Sequence, residues 1–433
     1  MTADSFSIDA HWEHPPADGS RDVAQIRISA GSDILSQLLD TEQNSQRDHF
    51  RTSAISLAFW LADNWWRLRY ESLDGATPSP NWRLRHELSS ASGGTAWPPI
   101  MIHSAGEHIQ LTSAFARQAQ TGNIRYLLPD TTSVTGAAFE AGLDHFFAQV
   151  LSTCAKALDG PAISELLDSL RSERADEATA QWRRIEARLG YDPGTVPDGV
   201  MNQLGKLERK VGPAALDEAA SAAPGPRSGD RLEEVLAASM ASDVTVDLGI
   251  ARGIGFGVSK DTPTPPWILG RRAAQHMRRQ YGLGLDAIGQ KAFLDLLGTT
   301  KESFAKRATA RKLPYSGRVK MGNRHGVALR SASVRDRRFE VSCALADEIW
   351  LASDFGVISK AKTDRQKFQR AFAQNFLAPF EGFRQHMDIE NIDDFAIDGA
   401  AKAFFVHSNV VKRALILEQV LPRETLEDRL EAG

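Results

Sequence analysis

The fold of the C-terminal third of this chain is decided by residues 338–351, which read RFEVSCALADEIWL. Within them Phe339, Cys343, Ala346 and Ile349 recur at spacings of three and four, which predicts a helix with one buried face. Around it we predict helices at 267–281, 291–297, 368–383 and 400–417, and strands at 318–321 and 326–330 joined by a turn at 322–323. These patterns together predict helices around a small sheet.

The preceding part of the chain divides by pattern into further segments. Alternation at 23–28 and in two short runs at 100–111 predicts strands, and apolar spacing at 52–70 predicts a helix. We therefore predict a mixed α/β N-terminal domain at 1–130, a helical region at 131–222, a linker or long loop at 223–262, and a last domain at 263–433. The linker is indicated by the run AAPGPRSGD at 222–230. The expected fold class is α+β and mainly helical.

Composition excludes several classes of protein. The chain has 433 residues, of which 42% are apolar and 24% charged, so it can build real cores and is not disordered throughout. Its formal net charge of −4 does not indicate a dedicated nucleic-acid coat. Two cysteines cannot form a disulfide framework or a Cys-rich zinc module. Without a signal-peptide pattern or a long apolar run, we expect a cytoplasmic protein that does not enter the membrane.

Basic residues are concentrated at 301–338, which contains twelve Lys and Arg but only two acidic residues. Such a stretch could attract nucleic-acid phosphate or an acidic protein segment, or it could be a solvated or internally paired face. The candidate partner-binding residues within it are Arg318, Lys320, Arg324 and Arg330.

Tryptophans are concentrated on the helix predicted at 52–70, at Trp60, Trp65 and Trp66, beside Arg67 and Arg69. The pattern favours a core that includes cation–π packing, and a partner-binding hot spot is the alternative.

Three segments of the last domain, taken in order, resemble the ImmA/IrrE family of metallopeptidase-like proteins. Residues 338–347, RFEVSCALAD, are similar to the family's Arg-Phe-x-x-x-His-Glu-x-x-His helix. Residues 366–379, QKFQRAFAQNFLAP, are similar to the helix Glu-x-x-Ala-Asn-x-Phe-Ala-x-x-Leu-Leu-x-Pro, and 401–415 to the closing Ala-x-x-Phe-x-Val-Ser segment. The resemblance covers about 170 residues and implies a zincin-like domain at 263–433.

The family's zinc chemistry requires two histidines, a glutamate that acts as general base, and a third ligand from the next helix. By the resemblance, Cys343 and Asp347 stand at the two histidines, Ala344 at the base and Gln366 at the third ligand. Alanine cannot accept a proton, so the usual activation of water would be missing. We expect no cofactor; if a metal is held at all, Cys343 and Asp347, four residues apart, are its candidate ligands.

The resemblance favours an inactive pseudopeptidase over an enzyme. It implies a regulatory module that binds a protein partner, such as a helix-turn-helix repressor or another defence protein, in a bacterial mobile-element, toxin–antitoxin or phage-defence setting. One alternative is an unusual metallohydrolase that uses Cys343 and Asp347. The other is a DNA-binding regulator that uses the basic stretch 301–338 and a helix-turn-helix-like segment at 406–415.

Overall fold

The computed structural model describes residues 5–73, 78–91, 97–113, 123–129, 131–254, 264–305, 312–389 and 391–421. The chain forms two compact units, Met1–Asp198 (unit 1) and Gly199–Gly433 (unit 2), each with its own hydrophobic core. Helices predominate and the sheets are small and antiparallel, so the predicted mainly helical α+β class is confirmed. No helix in these described ranges is both long and apolar enough to cross a membrane.

Unit 1 combines small antiparallel sheets with a layer of helices. Its strands are β1 (Phe6–His11), β2 (Ala24–Ala30), β3 (Asp33–Ile34), β4 (Leu38–Asp40), β5 (Ser45–Arg47), β6 (Phe50–Thr52), β7 (Met101–Ser104), β8 (His108–Thr112), β9 (Ile124–Tyr126) and β10 (Thr131–Thr135). Its helices are α1 (Ala54–Asp63), α2 (Trp65–Tyr70), α3 (Pro80–His86), α4 (Gly136–Cys154), α5 (Gly160–Ala175) and α6 (Glu177–Arg188). The sheets have strand orders β1–β2–β3 with β6 also on β2, β10–β8–β7, and β5–β4–β9.

The helix predicted at 52–70 is broken in two at Asn64. The amide of Asn64 donates to the carbonyl oxygen of Trp60 at 2.8 Å, and its backbone φ of −101° leaves the helical range. An asparagine side chain competes with the backbone hydrogen bonds of a helix, and this explains the break between α1 and α2. The predicted strand pair is present as β7 and β8, with Gly106 at φ 87° in the turn between them.

Trp65 and Trp66 lie in the core of unit 1, as the sequence pattern predicted. Both side chains are buried, and the indole nitrogen of Trp66 donates to Glu173 Oε2 at 2.9 Å. The guanidinium that covers Trp65 comes from Arg174 on α5, at 4.5 Å from the ring centroid, rather than from a neighbour on the same helix.

Unit 2 consists of one antiparallel sheet and the helices around it. The strand order of the sheet is β11–β13–β12–β14. Its strands are β11 (Thr245–Val246), β12 (Ser316–Met321), β13 (Arg324–Ala328) and β14 (Phe355–Ile358). Its helices are α7, which begins at the boundary (Asp198–Val211), α8 (Pro213–Ala222), α9 (Ser228–Met240), α10 (Pro266–Gln280), α11 (Gln290–Leu296), α12 (Lys301–Ala305), α13 (Val334–Trp350), α14 (Asp364–Leu377), α15 (Phe380–Phe383), α16 (Asp394–Ala403) and α17 (Ser408–Leu417).

The structure divides the chain differently from the four predicted segments. The helical region predicted at 131–222 is shared between the two units, which meet at residues 198 and 199. The predicted linker 223–262 contains α9 and β11, and its residues 255–262 lie outside the described residues. The turn residues at 224–226 suggested a long connection, but α9 buries Leu232 and Val235, and Val235 packs against Gly317 of β12. This buried face places the segment inside unit 2.

Helices α10 and α14 pack closely because Gly270 has no side chain. A β-carbon at position 270 would lie 2.5 Å from the carbonyl oxygen of Phe368 and 3.0 Å from the amide nitrogen of Phe372, both backbone atoms of α14. Gly399 on α16 is a matched contrast, since a β-carbon there would meet no atom within 4 Å.

We expect Gly270→Ala to lower the free energy of unfolding by about 1–3 kcal/mol, because the methyl group would force the two backbones apart. The control Gly399→Ala should be neutral or raise it by up to about 1 kcal/mol through helix propensity. Urea unfolding of the full chain measures both values. Equal effects of the two substitutions would show that the close approach of α10 and α14 does not matter for stability.

Candidate functional site

The four positions singled out by the resemblance lie on two helices that pack against each other. Cys343, Ala344 and Asp347 are in the middle of α13, which is buried on nearly every side, and Gln366 is in the first turn of α14. Helix α14 begins at this point because the hydroxyl of Thr363 accepts from the backbone amide of Gln366 at 3.3 Å and caps the helix.

Asp347 is the centre of a buried ion cluster. It is fully buried, and its carboxylate accepts four hydrogen bonds: from Arg318 Nε at 2.8 Å, from Arg365 Nε at 2.6 Å and Nη2 at 2.9 Å, and from Gln369 Nε2 at 2.6 Å. Burial alone would lower the pKa of Arg365, but its contact with Asp347 raises that pKa overall. A carboxylate has about four lone-pair sites. The four hydrogen bonds therefore fill the capacity of Asp347 to accept hydrogen bonds.

The cluster extends to a second carboxylate through Arg318. Its Nη1 lies 3.0 Å from Glu348 Oε2 and 2.8 Å from the carbonyl oxygen of Ser353, and its Nη2 lies 3.1 Å from the carbonyl oxygen of Leu351. His325 Nε2 lies 3.5 Å from the same Glu348 oxygen. Arg318 on β12 and His325 on β13 therefore tie the sheet to the end of α13.

Gln366 is committed to structural hydrogen bonds. Its Nε2 donates to the carbonyl oxygen of Val357 at 2.8 Å and to Glu218 Oε2 at 3.0 Å, and its Oε1 accepts from the amide of Ser359 at 2.8 Å. Val357 is in the edge strand β14, and Glu218 is a buried residue of α8. The side chain of Gln366 therefore joins the sheet edge to α8.

Cys343 and Ala344 face apolar surroundings. Burial raises the pKa of the Cys343 thiol, and its sulfur lies 3.7 Å from the carbonyl oxygen of Gln369. Ala344 is fully buried within the hydrophobic core of unit 2. A neutral thiol and a methyl group thus stand where the resemblance places a ligand and a general base.

These residues do not fit a zinc ion. Zinc in proteins takes four ligands, of which thiolate, imidazole and carboxylate are the common types. Here the thiol is held neutral, the carboxylate is surrounded by two guanidinium groups, and the amide of Gln366 is engaged at both atoms. In the part of the chain that the structure describes, no group of three or more His, Cys, Asp or Glu is placed to hold a metal. The arrangement argues against the metallohydrolase alternative.

Both cysteines should be unreactive in the folded protein. Cys154 and Cys343 are buried, and burial raises the pKa of Cys154 to about 12 and also raises that of Cys343. Because the thiolate is the reactive form, we expect Ellman's reagent at pH 8 to modify neither thiol until denaturant is added. In Cys154→Ala, which isolates Cys343, rapid modification of the native protein would show that Cys343 is accessible to the reagent.

The four candidate partner-binding residues differ in their exposure, and the prediction that Arg318 contacts a partner is wrong. Arg318 is fully buried because it pairs with Asp347 and Glu348, so it cannot contact a partner. Arg324 is partly buried and donates to the carbonyl oxygens of Thr245 at 2.8 Å and Gly298 at 2.7 Å. Lys320 and Arg330 are exposed. The charge of the stretch 301–338 is therefore partly internal, and residues 306–311 lie outside the described residues.

The segment 406–415 forms part of a pair of helices, α16 and α17, joined at residues 404–407. Acidic residues of α16 contact the first turns of α17: Asp394 lies 2.8 Å from Lys412 Nζ, and Asp398 accepts from the hydroxyl of Ser408. Carboxylates at this place would repel DNA phosphate, which argues against α17 as a DNA-reading helix.

Sequence reasoning missed Arg365, Gln369 and Glu218, which complete the buried cluster. It also missed a short basic run, 360–370, that has five Lys and Arg and a single acidic residue, Asp364. The charge asymmetry of this run can be read from the sequence, as can that of the longer stretch 301–338. The burial of Arg365 and Glu218 left no such signal.

Comparisons with protein-family models, with curated proteins and with solved structures found no match to this chain.

Proposed function

We propose that residues 263–433, the larger part of unit 2, form an ImmA/IrrE-like, zincin-like domain that has lost its metal and serves as a regulatory protein-binding module. The observation that carries the proposal is the environment of Asp347. At the position of the second zinc ligand, its carboxylate binds two buried guanidinium groups, Arg318 and Arg365. A charge pair of this kind joins helices and sheet without a metal and keeps Asp347 from activating water.

The partner in this proposal is a protein, such as a helix-turn-helix repressor or another regulatory or defence protein of a bacterial mobile element. The support is that the helix α13, which the resemblance aligns with the family's catalytic helix, is buried on nearly every side in unit 2. A domain whose scaffold is kept while its chemistry is lost can still bind what it no longer cleaves. The role would then be sequestration or recruitment of the partner.

Metal content tests the inactive half of the proposal. We expect elemental mass spectrometry of the untagged full chain to find essentially no zinc, and a chelator to leave the melting temperature unchanged, because no described ligand set needs metal. The Cys343→Ser variant is the control, since it should contain as little zinc as the wild type. About one zinc per wild-type chain, lost in that variant, would overturn the proposal and restore the metallohydrolase alternative.

Recovery of the partner tests the binding half. The tagged full chain, purified from its native host, should retain a protein in near-stoichiometric amount, and mass spectrometry should find that protein intact. A partner recovered only as cleavage products would indicate a peptidase. Recovery of nucleic acid without protein would favour the DNA-binding alternative.

A further inference from the structure

Cations are concentrated where β14 leads into α14, beside the buried cluster. Lys360 and Lys362 are exposed on the connecting loop, and Lys367 and Arg370 follow on α14. The fifth member, Arg413, is an exposed residue of α17. We call these five residues the basic cluster.

Two members of the basic cluster, Arg370 and Lys367, are placed by defined contacts. Arg370 Nη1 donates to the carbonyl oxygens of Ser359 at 3.1 Å and Ala361 at 2.9 Å, so its guanidinium lies beneath the loop that carries the two lysines. Lys367 is one turn earlier on α14, and its Nζ lies 3.1 Å from Asp364. The positive end of α14 adds to the same field.

The positive charges of the cluster repel one another. Partial desolvation lowers the pKa of Lys362, and repulsion from Lys367 and Arg370 lowers it further. Burial is the main cause that lowers the pKa of Arg370, and repulsion from Arg413 lowers it further, while Cys343 and Glu218 act in the opposite direction. An anion bound over the cluster would remove the repulsion.

The borders of the cluster favour a compact anion over a long one. On α16, Asp394 and Asp398 lie beside α17, where Asp394 already pairs with Lys412 at 2.8 Å. A nucleic-acid duplex would bring phosphates to these carboxylates, since its charges follow one another every few ångströms along the helix. A short acidic segment can end before it reaches them.

We infer that the basic cluster binds an acidic segment of the protein partner, a short run of Asp and Glu side chains that contacts Lys360, Lys362 and Arg413. The inference rests on the proposed function, in which unit 2 binds a protein. It adds the chemistry of the surface through which the partner is recognised. Arg365, although part of the same basic run of sequence, takes no part because Asp347 holds it in the core.

Fluorescence anisotropy of the full chain tests the inference, with a fluorescein-labelled polyglutamate peptide of about ten residues as the probe in low salt. We expect the peptide to bind, and Lys362→Gln with Arg413→Gln to weaken binding by at least about tenfold. Lys320→Gln with Arg330→Gln is the matched control, because it removes two exposed charges outside the cluster, and it should change affinity less than about twofold.

Several results would overturn the inference. These are no binding of the peptide, an equal loss in the control pair, or tighter binding of a labelled DNA duplex that the cluster substitutions abolish. Circular dichroism melts establish that the variants fold, and Lys362→Gln alone carries the comparison if α17 is disturbed. If the substituted chain retains its native partner in undiminished amount, the inference is wrong and the proposed function is unaffected. Bound zinc, or a partner recovered only as cleavage products, would instead overturn the proposed function.

Discussion

The Asp347→Ala variant is expected to lose about 3–5 kcal/mol of the free energy of unfolding of unit 2. The substitution removes the only carboxylate that Arg365 contacts among the described ion pairs, and it takes one of two from Arg318. Both guanidinium groups would then be buried with too few acceptors. Hydrogen exchange of peptides from α13 and α14 measures this loss locally, and urea unfolding of the full chain measures its size.

The control for Asp347 is Asp398→Ala, which removes an exposed carboxylate of the same unit and should cost less than about 1 kcal/mol. A second variant separates lost charge from lost packing. Asp347→Leu with Arg365→Met replaces the pair by apolar groups and should recover at least about 2 kcal/mol of the loss, while Arg318 keeps Glu348. If the double variant is as unstable as Asp347→Ala, the pairing of Asp347 with Arg365 is not the source of the stability.

Much of the fold follows from local patterns. The turn at Gly322, with φ 65°, and the alternation on either side of it predicted β12 and β13, and apolar spacing predicted α10, α11 and α13. Patterns failed where the decisive contact was distant in sequence. Helix α9 follows a Pro-Gly-Pro run, and its packing on Gly317 and Gly326, some eighty to ninety residues later, places it inside unit 2.

The contacts of the candidate site could not be predicted from the sequence. The resemblance singled out Cys343, Asp347 and Gln366 on two helices, and the structure joins these residues through Gln369 and Val357. Charge counting could not show that Arg318 and Arg365 are buried partners of Asp347, because an arginine looks the same in a sequence whether its guanidinium is solvated or paired.

A second large effect is expected in unit 1, where Glu71 ends α2. Its carboxylate accepts from Arg67 Nε at 2.6 Å and Nη2 at 3.2 Å and lies 3.0 Å from His86 Nε2. Glu71→Ala should lower the free energy of unfolding of unit 1 by about 3 kcal/mol. The substitution removes the carboxylate that the fully buried His86 and two nitrogen atoms of the buried Arg67 contact. The control Glu107→Ala removes a carboxylate whose side chain is 72% exposed and should cost less than about 1 kcal/mol.

The same carboxylate should make unit 1 sensitive to acid. Burial favours a raised pKa for Glu71, but the contacts with His86 and Arg67 together outweigh it and hold the pKa below its ordinary value of 4.5. The unfolded chain therefore binds the proton more readily, so the stabilisation is complete above that value and is lost as pH falls below it through the folded pKa. Tryptophan fluorescence reports on this unit, which holds seven of the nine tryptophans. Urea midpoints should fall on acidification in the wild type and fall less in Glu71→Gln. An equal fall in both would place the acid sensitivity elsewhere.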